Sequence, residues 1–507
     1  MRSILTVFLL LRLLVPIMAA DTEPTTVAPT TTEATPKDRP VPPSQAGSYV
    51  RVNSTNQVYD FFRPWSKKAP FNRRGLGTVL ENNRVLVTAE LVADNTYIEL
   101  ERPDTNERCP AQVVVIDYEA DLALIEPTRG EFLAGMQPLE VTTDGKLGER
   151  LSIVQLESNG TAVSTQALIT SAEVGQYTIE SYSFLLFRLS CPLQYRDNSF
   201  TLPIVSDHSL IGLLLRYDPR SQTVDAISTP VLRHFLADAD KKPYPGFPRL
   251  GVQYSNTRDP QFRNYIKLPE GRGGVYVGGV EPDGPAARAG LQAGDVLLAI
   301  NDHPIDADGN YQDPTYGKLA ITHLTTTEAH CQEKVQARIL RNGQEQTLAV
   351  ELSRRDPSDY VIDPYVIGRA PRFYVLGGLV FEELSRQFLH EWGLNWLKEA
   401  PQRFVYFDRY QEELFPEKRK IVFLSQVLPT DATVGFENLN YLSLDKVNGQ
   451  PISSLDDLAA AVKHPVNGFD KLEFSDDPRL IYLDANQVLG DAAKVQKLYS
   501  LPSMQRL

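Results

Sequence analysis

Short apolar runs separated by turn residues fill the chain from about residue 50 to about residue 235. Residues 85–87 (VLV) and 112–116 (QVVVI) are two such runs. Runs of this length that are rich in β-branched side chains and bounded by turns are typical of strands. We therefore predict an all-β domain over residues 49–240. A helix near residues 229–236 (TPVLRHFL) should close it, because Pro230 would fall in the first turn.

Two polar segments that contain proline divide the remainder of the chain. They are residues 241–248 (KKPYPGFP) and residues 356–372. Segments of this composition mark breaks between folded units. They predict a second unit over residues 246–355 and a third over residues 372–507.

The most helical pattern of the third unit lies in residues 381–397. Phe381, Leu384, Phe388 and Trp392 recur there at helical spacing. We predict a helix over this stretch, with the apolar stripe in the core rather than at a ligand site.

Residues 1–20 have the pattern of an export signal, with Arg2 before a mostly apolar stretch and small residues at 18–20 (MAA). Arg12 interrupts the apolar stretch, and a charge in mid-bilayer is costly. We expect a cleaved signal and a secreted or periplasmic protein, with a retained anchor as the alternative. No later stretch is long enough to predict an integral membrane span.

Residues 21–48 are rich in threonine and proline, as in TTVAPTTTEATPKDRPVPP. Such a segment has too little apolar surface to form a core. We predict a disordered linker between the signal and the first domain.

Length and composition bound the remaining possibilities. A chain of 507 residues suits about three domains, and 42% hydrophobic with 23% charged residues is typical of a folded protein. The net charge of -13 argues against a nucleic-acid partner, which needs clustered lysine and arginine.

The three cysteines, Cys109, Cys191 and Cys331, are too widely spaced for a metal-ligand pattern. We expect buried free thiols, with a Cys109–Cys191 disulfide as the alternative outside the cytosol. No motif predicts a cofactor or a metal.

Three blocks of the first domain resemble, in order, the catalytic blocks of the HtrA/Deg serine proteases. Residues 85–92 (VLVTAELV) resemble the histidine block, with Glu90 where the family has its histidine. Residues 117–125 (DYEADLALI) resemble the aspartate block and keep Asp121. Residues 197–203 (DNSFTLP) resemble the serine block, which makes Ser199 the nucleophile position and Asp197 an oxyanion position.

The later units extend the resemblance to about residues 50–507. Residues 274–277 (GVYV) and 285–297 (PAARAGLQAGDVL) are similar to a PDZ signature. Residues 373–378 (FYVLGG) and 427–429 (VLP) resemble the second PDZ-like domain of plant-type Deg proteins. The resemblance implies a mostly β fold, with a trypsin-like double β-barrel, a PDZ domain, and a divergent PDZ-like domain with an added helix.

The altered triad of Glu90, Asp121 and Ser199 predicts little catalysis at neutral pH. A serine hydroxyl needs a nearby base to take its proton, and an ordinary carboxylate is far weaker than imidazole. Losing the base alone costs about 10⁶-fold in turnover in a serine protease. All seven histidines follow Ser199, so none falls in the histidine block.

The oxyanion position is altered as well. Its donors would be the backbone N–H groups of Asp197 and Ser199, but the carboxylate of Asp197 would repel a developing negative charge. Phe200 and Thr201 also replace two glycines of the family block. We therefore expect an inactive relative that binds unfolded or C-terminal polypeptide segments, as a chaperone or adaptor in extracytoplasmic protein quality control.

Two alternatives stay open. Glu90, Asp121 and Ser199 are also the residue types of the acid-active sedolisin triad, and a protonated Asp197 could then donate to an oxyanion. The protein would in that case be an active serine endopeptidase. In the other alternative, it regulates an active paralogue.

Residues 249–252 resemble the loop with which the family captures a peptide carboxylate, and they consist of Arg249, Leu250, Gly251 and Val252. Backbone N–H groups of such a loop bind the carboxylate while the peptide extends a sheet edge. An ordinary start of a strand is the alternative. Residues 306–313 contain several aspartates but misplace the glycine of a calcium loop, so we expect a solvated loop.

Tyr59, Phe61, Phe62 and Trp65 cluster before the first predicted barrel. In the family, aromatic residues of this region help to build a trimer, so the resemblance implies a trimer-based homo-oligomer. A local core under the N-terminal segment is the alternative.

Overall fold

The computed structural model describes residues 39–40, 47–157, 159–179, 182–194, 201–416 and 419–507. The predicted signal (residues 1–20) lies outside them, as does most of the predicted linker. Within that linker, strand β1 (Arg39–Pro40) pairs antiparallel with residues 163–164, which corrects the prediction of disorder at these two positions. In the described part of the chain, no helix is both long and apolar enough to cross a membrane.

The first domain begins with a closed barrel of six antiparallel strands in the order β2-β3-β4-β7-β6-β5. Its strands are β2 (Tyr49–Asn56), β3 (Phe71–Leu80), β4 (Arg84–Val87), β5 (Asn95–Glu101), β6 (Arg108–Asp117) and β7 (Leu122–Pro127), with the short helix α1 (Ala89–Val92) after β4. Close packing explains Gly77 of β3, because a Cβ there would lie 2.4 Å from a methyl group of Val85.

A second set of six strands follows in the order β9-β10-β13-β12-β11-β8, and a further pairing of β9 with β8 closes the ring. These strands are β8 (Arg150–Leu156), β9 (Ala162–Gln176), β10 (Ser183–Ser190), β11 (Pro203–Ser206), β12 (Ser209–Asp218) and β13 (Thr223–Ser228). The predicted closing helix is confirmed as α2 (Thr229–Asp238), which has proline in its first turn and a mostly buried surface.

The central unit is a sheet in the order β14-β15-β16-β20-β21, with β14 at its edge. The strands are β14 (Val252–Ser255), β15 (Val275–Val280), β16 (Val296–Ile300), β17 (His303–Pro304), β18 (Asn310–Asp313), β19 (Gly317–Ala320), β20 (Lys334–Arg341) and β21 (Gln344–Glu351). Helices α3 (Pro260–Tyr265) and α4 (Pro285–Arg288) and a π-helical turn (His323–Thr327) complete it.

The C-terminal unit is built on a sheet in the order β28-β27-β25-β24-β23-β22-β29, with β26 paired to β25. Its strands are β22 (Phe373–Leu376), β23 (Leu379–Glu383), β24 (Val422–Val427), β25 (Leu442–Val447), β26 (Gln450–Pro451), β27 (Phe469–Phe474), β28 (Leu480–Asp484) and β29 (Gln505–Arg506). Its helices are α5 (Arg386–Leu389), α6 (Trp396–Glu399), α7 (Gln402–Arg409), α8 (Gln411–Leu414), α9 (Leu455–Ala461) and α10 (Ala485–Leu498).

The helix predicted over residues 381–397 is wrong in its extent. Phe381 belongs to β23, and the hydroxyl of Ser385 accepts from the N–H of Phe388, so the helical part begins only at residue 386. Gly393, at φ 73°, interrupts it again. The stripe is nevertheless core, because Phe381, Leu384 and Phe388 are buried.

The aromatic residues before the first barrel pack against the C-terminal unit. The ring centroids of Phe62 and Trp392 are 5.0 Å apart, and those of Trp65 and Phe373 are 6.0 Å apart. Phe61 is buried in the same apolar cluster as Phe388. These aromatics therefore form a core between two parts of one chain.

All three cysteines are free thiols. Cys109 and Cys191 are buried in two different hydrophobic clusters, and Cys331 is half-buried. The preferred prediction of free thiols is confirmed, although Cys331 is less buried than expected.

Candidate functional site

Asp121 lies in the turn between β6 and β7 with its carboxylate buried between the barrels. Its side chain accepts two hydrogen bonds, one at each oxygen. The backbone N–H of Glu90 donates to Oδ1 at 2.7 Å, and the hydroxyl of Thr178 donates to Oδ2 at 2.9 Å. Burial raises the pKa of Asp121 to about 7; the charge of Glu90 adds to this, while the two hydrogen bonds and Arg73 oppose it.

Glu90 lies in α1, beside Asp121, and its side chain contacts a cation. Its carboxylate is 3.3 Å from the guanidinium of Arg73, and its side chain is 38% exposed. The same guanidinium also donates to the backbone carbonyl of Glu90. The carboxylate is thus ion-paired, and the hydrogen bond from Glu90 to Asp121 is made by its main chain.

Ser199 and Asp197, the predicted nucleophile and oxyanion positions, lie outside the described residues, and so does Phe200. Thr201 follows them and is buried with φ 57°. A β-branched residue rarely adopts this left-handed conformation. Thr201 thus holds a glycine-like backbone angle at a position where the family block has glycine.

The loop that carries Asp121 is held by both inter-domain linkers. The hydroxyl of Tyr244, in the first linker, donates to Asp117 at 2.9 Å. Arg354, just before the second linker, donates to Oε1 of Glu119 at 2.7 Å, and the hydroxyl of Tyr365, in that linker, donates to the same oxygen at 3.1 Å. Sequence reasoning missed these residues, because nothing in either linker's composition marks them as partners of the aspartate block.

The predicted carboxylate-capturing loop, residues 249–252, leads into the edge strand β14. Arg249 is 2.6 Å from the carboxylate of Glu281 and also donates to the hydroxyl of Tyr360, so its charge is already engaged. Leu250 is buried, and Gly251 has φ 76°. No acceptor within the described ranges bonds the N–H of Leu250 or of Gly251.

A cavity of about 620 Å³ opens beside this loop. The central unit contributes Leu250, Gly251 and Tyr254, the second barrel contributes Phe184, and the C-terminal unit contributes Trp396 and Val405. All three parts of the chain therefore line the groove next to β14, which sequence reasoning placed in the central unit alone.

The aspartate-rich loop near residue 306 is a network of ion pairs. Asp306 is 2.7 Å from the ammonium of Lys318, and Asp308 is paired with Arg258. The prediction of a solvated loop rather than a calcium loop is consistent with these contacts, because cationic side chains already neutralise both carboxylates.

Comparisons with known proteins agree with this architecture. PDZ domain families match residues 248–352 and residues 362–505. Protease Do-like 2, chloroplastic, from Arabidopsis thaliana is 25% identical over 465 residues, which are 90% of this chain and 74% of the relative. The putative protease Do-like 12, mitochondrial, of the same plant is 24% identical over 452 residues, 88% of this chain and 84% of the relative.

Among solved structures, the HtrA-type protease AlgW with decapeptide is 20% identical to this chain, with a TM-score of 0.47. The match covers 62% of this chain and 97% of the chain in that structure. The double barrel followed by two PDZ domains defines the class of PDZ-bearing homologues of trypsin-like serine proteases. Within that class, the chain is similar to the HtrA/Deg proteases, and its layout is similar to that of plant-type Deg proteins.

Proposed function

We propose that this chain binds unfolded or C-terminal polypeptide segments without cleaving them, as a chaperone or adaptor in protein quality control outside the cytosol. The observation that carries the proposal is the arrangement of Glu90. Its carboxylate pairs with Arg73, and its main chain bonds Asp121. A serine nucleophile would have no imidazole at this position to take its proton.

Asp121 does not supply the missing base. Both of its oxygens already accept hydrogen bonds, one from the N–H of Glu90 and one from the hydroxyl of Thr178. In a serine triad the aspartate orients the base and does not itself take the proton of the serine. Two features of the site thus support the absence of cleavage at neutral pH.

Peptide binding is supported by two backbone donors of the 249–252 loop, which bond no acceptor in the part of the chain that the structure describes. Leu250 and Gly251 present N–H groups next to the edge strand β14, and a peptide could add to that edge as a further strand. The apolar walls from Phe184, Trp396 and Val405 favour an apolar C-terminal side chain in the ligand.

The test combines two assays on the full chain. Unfolded casein is incubated across pH 4–8 with wild type and with Ser199→Ala, and we expect no cleavage that differs between the two. Fluorescent peptides with apolar C-termini are titrated as free carboxylates and as amides, and we expect binding of the free carboxylates only. Cleavage that Ser199→Ala abolishes, or binding indifferent to amidation, contradicts the corresponding half of the proposal.

An acid-active endopeptidase is the second candidate function, favoured by the raised pKa of Asp121 beside Glu90. In that case, cleavage should appear only well below pH 6 and should be lost in both Glu90→Gln and Ser199→Ala. Equal activity of Glu90→Gln and wild type would exclude it.

We also propose, on family grounds, assembly into a trimer-based homo-oligomer. The aromatic cluster at residues 59–65 lends this no support, because Phe61, Phe62 and Trp65 contact the C-terminal unit of their own chain. Light scattering on the purified full chain distinguishes a trimer from a monomer.

A further inference from the structure

Two histidines and one aspartate converge where the last helix of the second barrel meets the first PDZ domain. His234 and Asp238 lie on α2, and His330 lies just before β20. Nδ1 of His330 is 3.1 Å from Oδ2 of Asp238, and Nε2 of His234 is 3.7 Å from the same oxygen. One ligand-type atom from each of the three residues lies within 4.8 Å of the others.

The second nitrogen of His234 fixes its tautomer. Nδ1 is 2.8 Å from the carbonyl oxygen of Thr327, and because a carbonyl only accepts, Nδ1 carries the hydrogen. In the neutral ring, Nε2 then carries a lone pair. That nitrogen is buried without a hydrogen-bond partner among the residues that the structure describes, and the side chain is only 1% exposed.

An orphaned acceptor of this kind points to a ligand. Burying an acceptor without a donor costs free energy. A ligand bound to Nε2 of His234 would remove this cost. Metal-binding histidines commonly donate their other ring N–H to a carbonyl or carboxylate, which is the arrangement of His234 and Thr327.

The stacking of the histidine rings suits a metal. The ring of His234 lies between Phe247 and His330, with ring centroids at 4.1 Å and 3.9 Å and nearly parallel planes. Two imidazolium cations stacked this closely would repel each other, whereas a metal ion binds neutral imidazoles.

We propose that Nε2 of His234, Nδ1 of His330 and Oδ2 of Asp238 bind a zinc ion between the barrel and the first PDZ domain. Two imidazoles, a carboxylate and a water form a donor set that zinc accepts in tetrahedral geometry. The side chain of His330 is 36% exposed, which leaves room for the ion and the water to enter. Convergence of the three ligands requires the His330 ring to turn out of its stack and to carry its hydrogen on Nε2 instead of Nδ1, and this exposure permits both.

A cation lies at the site as well, because the ammonium of Lys241 pairs with the other oxygen of Asp238. Its side chain is 57% exposed and can turn into solvent when the ion binds. With zinc in place, α2 and the segment before β20 would be joined through three ligands. The first PDZ domain, which carries the 249–252 loop, would then be fixed against the barrel.

The test is a zinc titration of the full chain, freed of metal by dialysis against a chelator, in competition with a chromophoric chelator. We expect one site in wild type. Removing residues that merely support metal ligands costs about 10–100-fold in affinity, so removing a ligand in His330→Ala or Asp238→Asn should cost at least this much. Cobalt in place of zinc should give the visible absorption of a tetrahedral nitrogen and oxygen site, without a thiolate charge-transfer band.

Two variants act as matched controls. His464→Ala removes an exposed histidine, and Cys331→Ser removes the thiol next to His330; both should bind zinc as wild type does. Circular dichroism without metal checks that Asp238→Asn, which keeps the shape of the side chain, is folded. Any of three results would overturn the proposal. They are the absence of a zinc site in wild type, zinc binding that survives both His330→Ala and Asp238→Asn, and zinc binding that is lost only in Cys331→Ser.

Discussion

The backbone N–H of Glu90 donates to Oδ1 of Asp121 at 2.7 Å, while the Glu90 carboxylate is paired with Arg73. The main chain thus holds the aspartate in a fixed place, although the side chain at position 90 has changed. Because this hydrogen bond does not depend on the side chain, an imidazole placed at position 90 would start from an oriented Asp121. Four predictions follow from this site and its surroundings.

Restoring the base alone should not restore the nucleophile. In Glu90→His, the imidazole can donate to Asp121, but it shares the carboxylate with the hydroxyl of Thr178. Asp197 would still oppose the oxyanion, and loss of one oxyanion donor costs about 10²–10³-fold. We expect labelling of Ser199 by a fluorophosphonate only when Glu90→His is combined with Asp197→Gly.

The control for this experiment is the same pair of changes in a Ser199→Ala background, which should not label. Strong labelling of the single variant Glu90→His would contradict the prediction, because it would mean that the oxyanion loop is intact.

Asp121→Asn should stabilise the protein at high pH. An unfolded aspartate ionises near pH 4, whereas burial raises the pKa of the folded Asp121 to about 7. The folded state therefore holds more protons between these values, and stability falls as the pH rises from about 4 to 7. Asparagine keeps an acceptor for Glu90 and removes the ionisation, which should raise the free energy of unfolding by about 2–4 kcal/mol at pH 8.

The measurement is chemical denaturation of wild type and Asp121→Asn at pH 4.5 and at pH 8. The gain in the free energy of unfolding should be small at pH 4.5 and large at pH 8. Asp104→Asn is the matched control. Its hydrogen bond with Arg102 lowers the pKa of Asp104, so this substitution should give no gain at pH 8. An Asp121→Asn variant that is less stable at pH 8 would contradict the assignment of a buried, proton-holding carboxyl.

Gly251→Ala should weaken peptide binding. Gly251 has φ 76°, and a Cβ there would lie 3.0 Å from the carboxylate of Glu281. Alanine in this conformation costs about 1–3 kcal/mol, and relaxing it would move the N–H groups of the loop. We expect the affinity for a free-carboxylate peptide to fall by about tenfold, the equivalent of about 1.4 kcal/mol.

Gly271→Ala is the control for backbone strain. Gly271 has φ 73° in the same domain, but a Cβ there would meet open space. Its substitution should lower stability by a similar amount and leave the affinity unchanged. Equal loss of affinity in both variants would mean that the 249–252 loop does not bind the peptide.

Arg354→Met should destabilise the protein. Glu119 is buried, and Arg354 is its cationic partner at 2.7 Å. Removing one partner of a buried ion pair costs about 3–5 kcal/mol, because the other charge is left uncompensated. Arg369→Met breaks a half-exposed pair with Asp363 and should cost at most about 1 kcal/mol. Adding Glu119→Gln to Arg354→Met should recover part of the loss; no recovery would mean that packing, not charge, sets the effect.

The sequence allowed prediction of those features that short-range patterns determine. Alternation and turn residues predicted the strands, and Pro230 predicted the start of α2, which is confirmed. The apolar spacing at residues 381–397 gave the correct core but the wrong element, because a continuous apolar run fits a buried strand as well as a helix. Ser385 as a helix cap and Gly393 as a break were the local signals against a single helix.

The candidate site was predictable only in part. The block motif identified Glu90 and Asp121, but it could not show that Arg73 takes the Glu90 carboxylate or that Thr178 takes the second oxygen of Asp121. These contacts depend on tertiary structure. The cluster of His234, Asp238 and His330 also depends on tertiary structure. Asp238 and His330 are 92 positions apart in sequence, and the three residues belong to no motif.

The contact between residues 59–65 and the C-terminal unit also bears on how the protein is made. The guanidinium of Arg506 donates to the carbonyl of Pro64, across 442 positions of sequence. At a synthesis rate of about 5–20 residues per second, a ribosome needs roughly 20–90 s after Pro64 to reach Arg506. In the first part of that interval, until residues 373–392 have been synthesised, Phe61, Phe62 and Trp65 lack the surface that covers them in the finished protein. A nascent chain with a completed first barrel therefore exposes three aromatic side chains, and they are covered only when the last domain has been translated.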